Sequence, residues 1–160
     1  MIKRRMLDLF DELSALIRAF DGRGIDYALC GGLALAVYGL PRATVDIDVL
    51  VPPEGLSRLK QVAAGRGFDI EARPMRFAAG AVEIHRMSKV DPDPGDLLSL
   101  DAVLVTPELT TVWAGRRRVE WEGGELTVVS RAGLIAMKRL RGSGQDRDDI
   151  ASLEDSSDEC

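Results

Sequence analysis

The stretch from Asp26 to Val51 constrains the fold more than any other part of the chain. It opens on a short apolar segment, Asp26 to Cys30, which Gly31-Gly32 interrupts. Leu33 to Leu40 is rich in Ala and Leu and reads as a short helix. Pro41 ends it, because a proline ring clashes with a continued turn. Thr44 to Val51 is β-branched and closes on Pro52-Pro53. Strand, helix and strand joined this tightly belong to an α/β layer around one core. Within the second strand Asp46 and Asp48 stand two residues apart, so both side chains leave one face. Val45, Ile47, Val49 and Val51 leave the other.

The remaining segments extend this pattern. Residues 4 to about 21 form an amphipathic helix, with Met6, Leu9, Phe10, Leu13, Leu16, Ile17 and Phe20 at three- and four-residue spacing, stopped by Gly22 and Gly24. Glu54 to Gly65 is a second such helix. Phe68 to Arg73, Ala81 to Val90 and Leu97 to Val105 read as strands, the last two joined by the turn Asp91-Pro92-Asp93-Pro94-Gly95. Arg117 to Trp121 and Glu125 to Val129 flank Gly123-Gly124 as a hairpin. Ser130 caps a helix from Arg131 to about Leu140, and Gln145 to Leu153 is a last short helix. The expected fold is α/β, with a mixed, mostly antiparallel sheet and helices mainly on one side. Residues 1–153 are expected to form a single domain. The acidic, serine-containing tail 154–160 is expected to be disordered.

Composition excludes several classes of function. No apolar run reaches the roughly 18 residues of a membrane span. The basic start, Met1 to Arg5, gives way to Asp8, Asp11 and Glu12, where a secretory signal would need apolar residues. A cytoplasmic protein with no membrane partner is expected. Two cysteines, Cys30 and Cys160, make no disulfide framework. One histidine, His85, excludes a zinc site built on several His ligands. Any metal would be held mainly by carboxylates, which points to Mg²⁺ or Mn²⁺. The net charge is −5, yet the tail carries Glu154, Asp155, Asp158 and Glu159, and the rest is near neutral. Between Gly115 and Arg147, eight basic residues face four acids, which suits a phosphate-bearing ligand as well as it suits a mixed solvated surface.

Paired carboxylates on an otherwise apolar strand repel each other and cost desolvation, and a divalent cation removes that penalty. Alone, the pair fits a solvated strand face, or partners for Arg42 and Arg58, at least as well. Gly31-Gly32 shifts the balance. Glycine lets the backbone come close to a ligand, and the helix it opens presents N–H groups to phosphate. Together these features suit a metal-bound nucleoside triphosphate.

The string Gly31-Gly32-Leu33-Ala34 through Tyr38-Gly39-Leu40-Pro41-Arg42-Ala43-Thr44-Val45-Asp46-Ile47-Asp48 resembles the signature of the DNA polymerase β-like nucleotidyltransferase superfamily. It is similar to the small bacterial branch of AbiEii-like toxins and minimal nucleotidyltransferases. The stretches Val128 to Lys138 and Gln145 to Ile150 also look like that branch. The resemblance covers roughly residues 25 to 153.

It implies transfer of a nucleoside monophosphate (NMP) from a nucleoside triphosphate (NTP) to an acceptor hydroxyl on RNA, protein or a small molecule. Two metal ions would serve this reaction, Asp46 and Asp48 being ligands and Gly31 and Gly32 approaching the triphosphate. The superfamily often adds a third carboxylate. Asp101, a lone acid in the apolar strand Leu98 to Val105, is the candidate, and Glu83 is the rival. Arg42 is placed to hold a phosphate or carboxylate bidentately, and Lys138, inside an apolar helix, to contact the triphosphate.

The resemblance also implies a toxin of a toxin–antitoxin or phage-defence pair. Its partners would be tRNA or another RNA and an antitoxin or second subunit. Two other readings are a non-catalytic nucleotide- or partner-binding module and a metal-dependent phosphohydrolase.

Overall fold

Alternating apolar and polar residues require a sheet with two different faces, and that is what the chain builds. The structure is a computed structural model and describes residues 2–40, 44, 46–90, 97–121, 124–142, 148 and 150–154. Its strands are β1 (Ala28–Cys30), β2 (Asp46–Val51), β3 (Ile70–Glu71), β4 (Met75–Phe77), β5 (Val82–Val90), β6 (Leu97–Leu104), β7 (Arg117–Trp121) and β8 (Gly124–Val128). They form one sheet in the order β3-β5-β6-β2-β1-β8-β7, with β4 also on β5. Only the β2–β6 and β1–β8 pairings are parallel. The sheet is therefore mixed and mostly antiparallel, as expected. β1 and β2 are antiparallel neighbours, and helix α2 (Gly31–Val37) connects them.

The other helices are α1 (Ile2–Gly22), α3 (Leu56–Gly65), α4 (Thr110–Ala114) and α5 (Arg131–Arg141). The long α1 covers the sheet face opposite Asp48. Leu9, Leu13, Leu16, Ile17 and Phe20 are buried, each worth roughly 1.5–3 kcal/mol of transfer free energy. On the same side Phe10 packs on Trp121 with ring centroids 5.6 Å apart, and Lys89 of β5 donates to Glu12 at 2.6 Å. α3 joins this layer through the Lys60–Glu71 ion pair. α5 packs on the other face. It starts where Ser130 accepts a hydrogen bond from the Gly133 amide at 3.0 Å. It stops at Gly142, whose φ of 69° suits glycine. One cluster of buried apolar side chains runs from Leu9 to Leu153.

Several boundaries differ from the expected ones. The strand expected over 68–73 shrinks to Ile70–Glu71. Phe68 is instead buried at the exit of α3, where its amide bonds to the Ala63 carbonyl. β4 and α4 were not expected. α4 carried a signal in Pro107, which occupies the first position of the short 3₁₀ turn leading into it. α2 begins at Gly31 rather than Leu33. The expected turn at 91–95 lies outside the described residues, but Val90 pairs with Leu97 across the hairpin it would close. Residues 148 and 150–154 are helical. The other residues of the expected helix 145–153 lie outside the described ones, as does the tail beyond Glu154.

Candidate active site

The registers place a thiol, two carboxylates and a guanidinium in one row across four strands. Cys30 of β1 pairs with Asp48 of β2, Asp48 with Asp101 of β6, and Asp101 with Arg86 of β5. Residues paired in this way project from the same face. Asp46 is two residues before Asp48 and shares that face, paired with Ser99. The expected acids Asp46, Asp48 and Asp101 therefore stand together on the side away from α1. Glu83 does not join them. It lies an odd number of residues from Arg86 along β5, on the opposite face, tied to Arg76 at 3.1 Å and His85 at 2.8 Å.

Arg86 is the residue that sequence reasoning missed. Its Nε and one terminal nitrogen donate to both oxygens of Asp101, at 2.8 and 2.9 Å. Its guanidinium also reaches an Asp46 oxygen at 3.8 Å. Asp101 is 4% exposed, and a carboxylate so deep needs a partner. The Asp101 hydrogen bonds in turn raise the Arg86 pKa.

One guanidinium does not neutralise three acids. Burial, then Asp101 and Asp46, push the Asp48 carboxyl up to about 7. Burial and Asp101 also raise Asp46. Cys30 behind them is buried, and its thiol is raised by burial and then by Asp48 and Asp101.

Gly31 sits directly under Asp48, with φ +68°, and a Cβ there would overlap the Asp48 carboxylate. The glycine is needed twice, for the left-handed backbone and for the contact. A Cβ on Gly32 would press on the Thr44 side chain at 3.1 Å. Because α2 has only seven residues, the space above these glycines matters more than any helix dipole. Gly31→Ala should displace Asp48. We expect any activity that depends on Asp48 to fall about a hundredfold, in line with the cost of a misplaced group, and melting to fall as well, because the left-handed backbone is strained for alanine. Unchanged kcat/KM would show that Asp48 does not need this seat.

A pocket of about 60 Å³ lies beside the acids, between the sheet and α5. Cys30, Gly31, Asp48, Ile84, Val103, Leu134, Met137, Lys138 and Arg141 contribute to its wall. Lys138 is 8% exposed, so the expected lysine does reach the site. Arg141, one turn later, was missed, though the three-residue spacing puts both on one helix face. Arg42 lies outside the described residues, as do Asp146 and Asp149.

The basic stretch 116–147 is not a single surface among the described residues. Arg117 and Arg118 leave opposite faces of β7. Arg116 covers the Trp113 ring at 3.9 Å, and Arg118 pairs with Asp21 at 2.9 Å. Arg139 pairs with Glu154, while Lys138 and Arg141 line the pocket.

The architecture is that of solved nucleotidyltransferases. The lincosamide antibiotic adenylyltransferase LnuA, solved with lincomycin bound, aligns with a TM-score of 0.58 at 16% identity, over 90% of this chain and 95% of its own. The antibiotic-resistance factor ANT(2'')-Ia aligns at 0.60 and 14% identity, over 89% and 80%. An antigenic nucleotidyltransferase-like protein from Paracoccidioides brasiliensis aligns at 0.58 and 23% identity, over 88% and 72%. No protein-family model matches the chain, and no curated protein matches it. At these identities the likeness is one of fold, and the chain has the nucleotidyltransferase fold. Among the described residues, no helix is long and apolar enough to cross a membrane.

Proposed function

We propose that this chain is a metal-dependent nucleotidyltransferase that moves an NMP from an NTP to an acceptor hydroxyl. The observation that carries the reading is the set Asp46, Asp48 and Asp101 on one sheet face, with Asp48 seated on Gly31. The donor set fits Mg²⁺ or Mn²⁺. Mg²⁺ is commonly held by one or two carboxylates and completed by substrate phosphates, and Asp46 and Asp48 supply two. Burial, and then the neighbouring acids, raise both pKa values, which a bound cation would offset. Among the described residues, no group of three or more His, Cys, Asp or Glu is disposed to hold a metal ion. Asp101 accepts one hydrogen bond from Arg86 on each oxygen, and the second lone pair of each leaves it able to join as third ligand.

When bound, the cation would activate the acceptor hydroxyl and neutralise charge on the triphosphate. The protein's own groups position the rest. Gly31 and Gly32 leave room for the triphosphate to approach the backbone. Lys138 and Arg141 place positive charge at the pocket wall, where they complement phosphate oxygens. Arg86 holds Asp101 fixed beside Asp48 through two hydrogen bonds.

LnuA and ANT(2'')-Ia are antibiotic-modifying proteins, which supports a small hydroxyl-bearing acceptor. The AbiEii-like placement and the toxin role rest on the sequence motif. The test uses NTPs labelled at the α- or γ-phosphate, incubated with Mg²⁺, the protein and cell extract. Label from the α-position should appear on RNA, protein or small molecules, and label from the γ-position only in pyrophosphate. Free γ-phosphate with no acceptor labelled would overturn this reading in favour of a phosphohydrolase. Binding without turnover would favour a non-catalytic module.

A further inference from the structure

A group of exposed arginines lies on the other side of the sheet from the acids, where the C-terminal ends of α1 and α3 meet. A groove of about 360 Å³ is lined there by Arg18, Gly22, Arg23, Gln61, Gly65 and Arg66, among others. No acid lines it. Arg58 stands at the same junction and donates to the Arg23 carbonyl at 2.6 Å, tying α3 to the end of α1. All four arginines are exposed. Among the described residues none of the four makes an ion pair. The nearest acid on α1, Asp21, is drawn away to Arg118 on β7. The groove thus gathers arginines without an ion-paired acid on a chain whose net charge is −5, offset only by the partial negative charge of two helix C-termini.

We propose that this groove is an anchoring site for the phosphate backbone of a nucleic-acid duplex. Arginine presents a planar fork that holds phosphate oxygens in pairs, and arginines stand on both helices. Small residues at Ala19, Gly22 and Gly65 let a sugar-phosphate strand come close. An unpaired strand would want aromatic platforms for its bases, and the groove has none. A protein partner would want a buried aromatic or aliphatic anchor at the centre, and Val62 is the one large apolar side chain in the wall. What remains is backbone recognition by charge, which positions a duplex without reading its sequence. The site faces away from Asp46 and Asp48, because α1 and α3 cover the opposite side of the sheet. A duplex held here is anchored, not presented to the acids. The inference is independent of the proposed reaction.

The experiment is a fluorescence-anisotropy titration of a labelled RNA duplex between about 50 and about 200 mM salt, a range over which phosphate contacts weaken steeply. The wild-type chain should show a steep negative log–log slope. Arg18→Ala, Arg23→Ala and Arg66→Ala combined should reduce that slope by about 2–3, near one per lost phosphate contact. Affinity at low salt should fall at least about tenfold. The corresponding triple lysine variant should keep most of the slope, and matching melting curves would confirm that the surface changes leave the fold intact. Poly-glutamate of equal charge should compete poorly. Equal slopes for wild type and the triple alanine variant would overturn the proposal, as would a wild-type chain that does not bind. Competition by poly-glutamate as strong as by unlabelled duplex would assign the groove to an acidic protein instead.

Discussion

Asp48→Asn should make the protein more stable at about pH 8 and remove the proposed transferase activity. The free carboxyl titrates near 3.8, whereas in the folded chain burial and the neighbouring acids push Asp48 up to about 7. Between these values the folded state holds a proton that the unfolded state has lost. Stability therefore falls as pH rises through the window from about 4 to about 7, and stays low above it. Asparagine has no charge to repel, so the variant escapes that loss. At 1.36 kcal/mol per pKa unit the gain at about pH 8 has an upper limit of roughly 4 kcal/mol. At a few degrees per kcal/mol for a chain of this size, melting should rise by up to about 10 °C. Near pH 4 the two proteins should melt together. A variant that melts lower than wild type at pH 8 would show that the Asp48 charge is already compensated. The same substitution removes a proposed cation ligand, so a more stable protein without activity is the expected pairing.

Arg86→Ala should do the reverse to stability. It leaves Asp101 buried with no donor for either oxygen, and takes away the cation 3.8 Å from Asp46. Losing one partner of a fully buried ion pair costs about 3–5 kcal/mol; the Arg86 side chain is 37% exposed, so the loss here should be smaller, and melting should fall by several degrees at neutral pH. Mg²⁺ or Mn²⁺ should restore several degrees, because a cation that binds only the folded chain stabilises it by mass action. It should do so more in the variant than in wild type, since three acids are then open to it. Arg86→Lys should recover only part of the loss, because an ammonium does not match both oxygens at once. Identical melting of wild type and Arg86→Ala would show that the pair contributes nothing to stability.

Much of this site was legible in the sequence, for a local reason. Gly31-Gly32 and Asp46-x-Asp48 lie within one strand–helix–strand unit. Period-two alternation tells which β2 residues share a face before any partner strand is known. Asp101 was identifiable as a lone acid in an apolar strand. Its contact with Asp48 depended on a parallel pairing between strands about fifty residues apart, which no local pattern encodes. Arg86 was hidden for the same reason. In sequence it is one of several alternating polar residues on β5, and only the β5–β6 register aims it at Asp101 and sends Glu83 to the other side.

The basic stretch failed differently. Closeness in sequence suggested one patch, but strand alternation, ion pairing and burial divided it. The arginine cluster comes instead from Arg18, Arg23, Arg58 and Arg66, which lie in, or just past the ends of, two helices far apart in the chain.

The central claim is that Asp46 and Asp48 face the reacting phosphate. The most direct measurement uses the purified chain with Mg²⁺, each NTP labelled at the α-phosphate and, in parallel, at the γ-phosphate, and the acceptor fraction that takes up label. Pyrophosphate and acceptor-bound NMP are counted together. The account predicts equal amounts of the two from wild type. Asp46→Asn plus Asp48→Asn should lower both by at least about a thousandfold, several kcal/mol of lost transition-state stabilisation, in a variant that melts no lower than wild type at about pH 8. Product formation undiminished in that folded variant would contradict the assignment of the site.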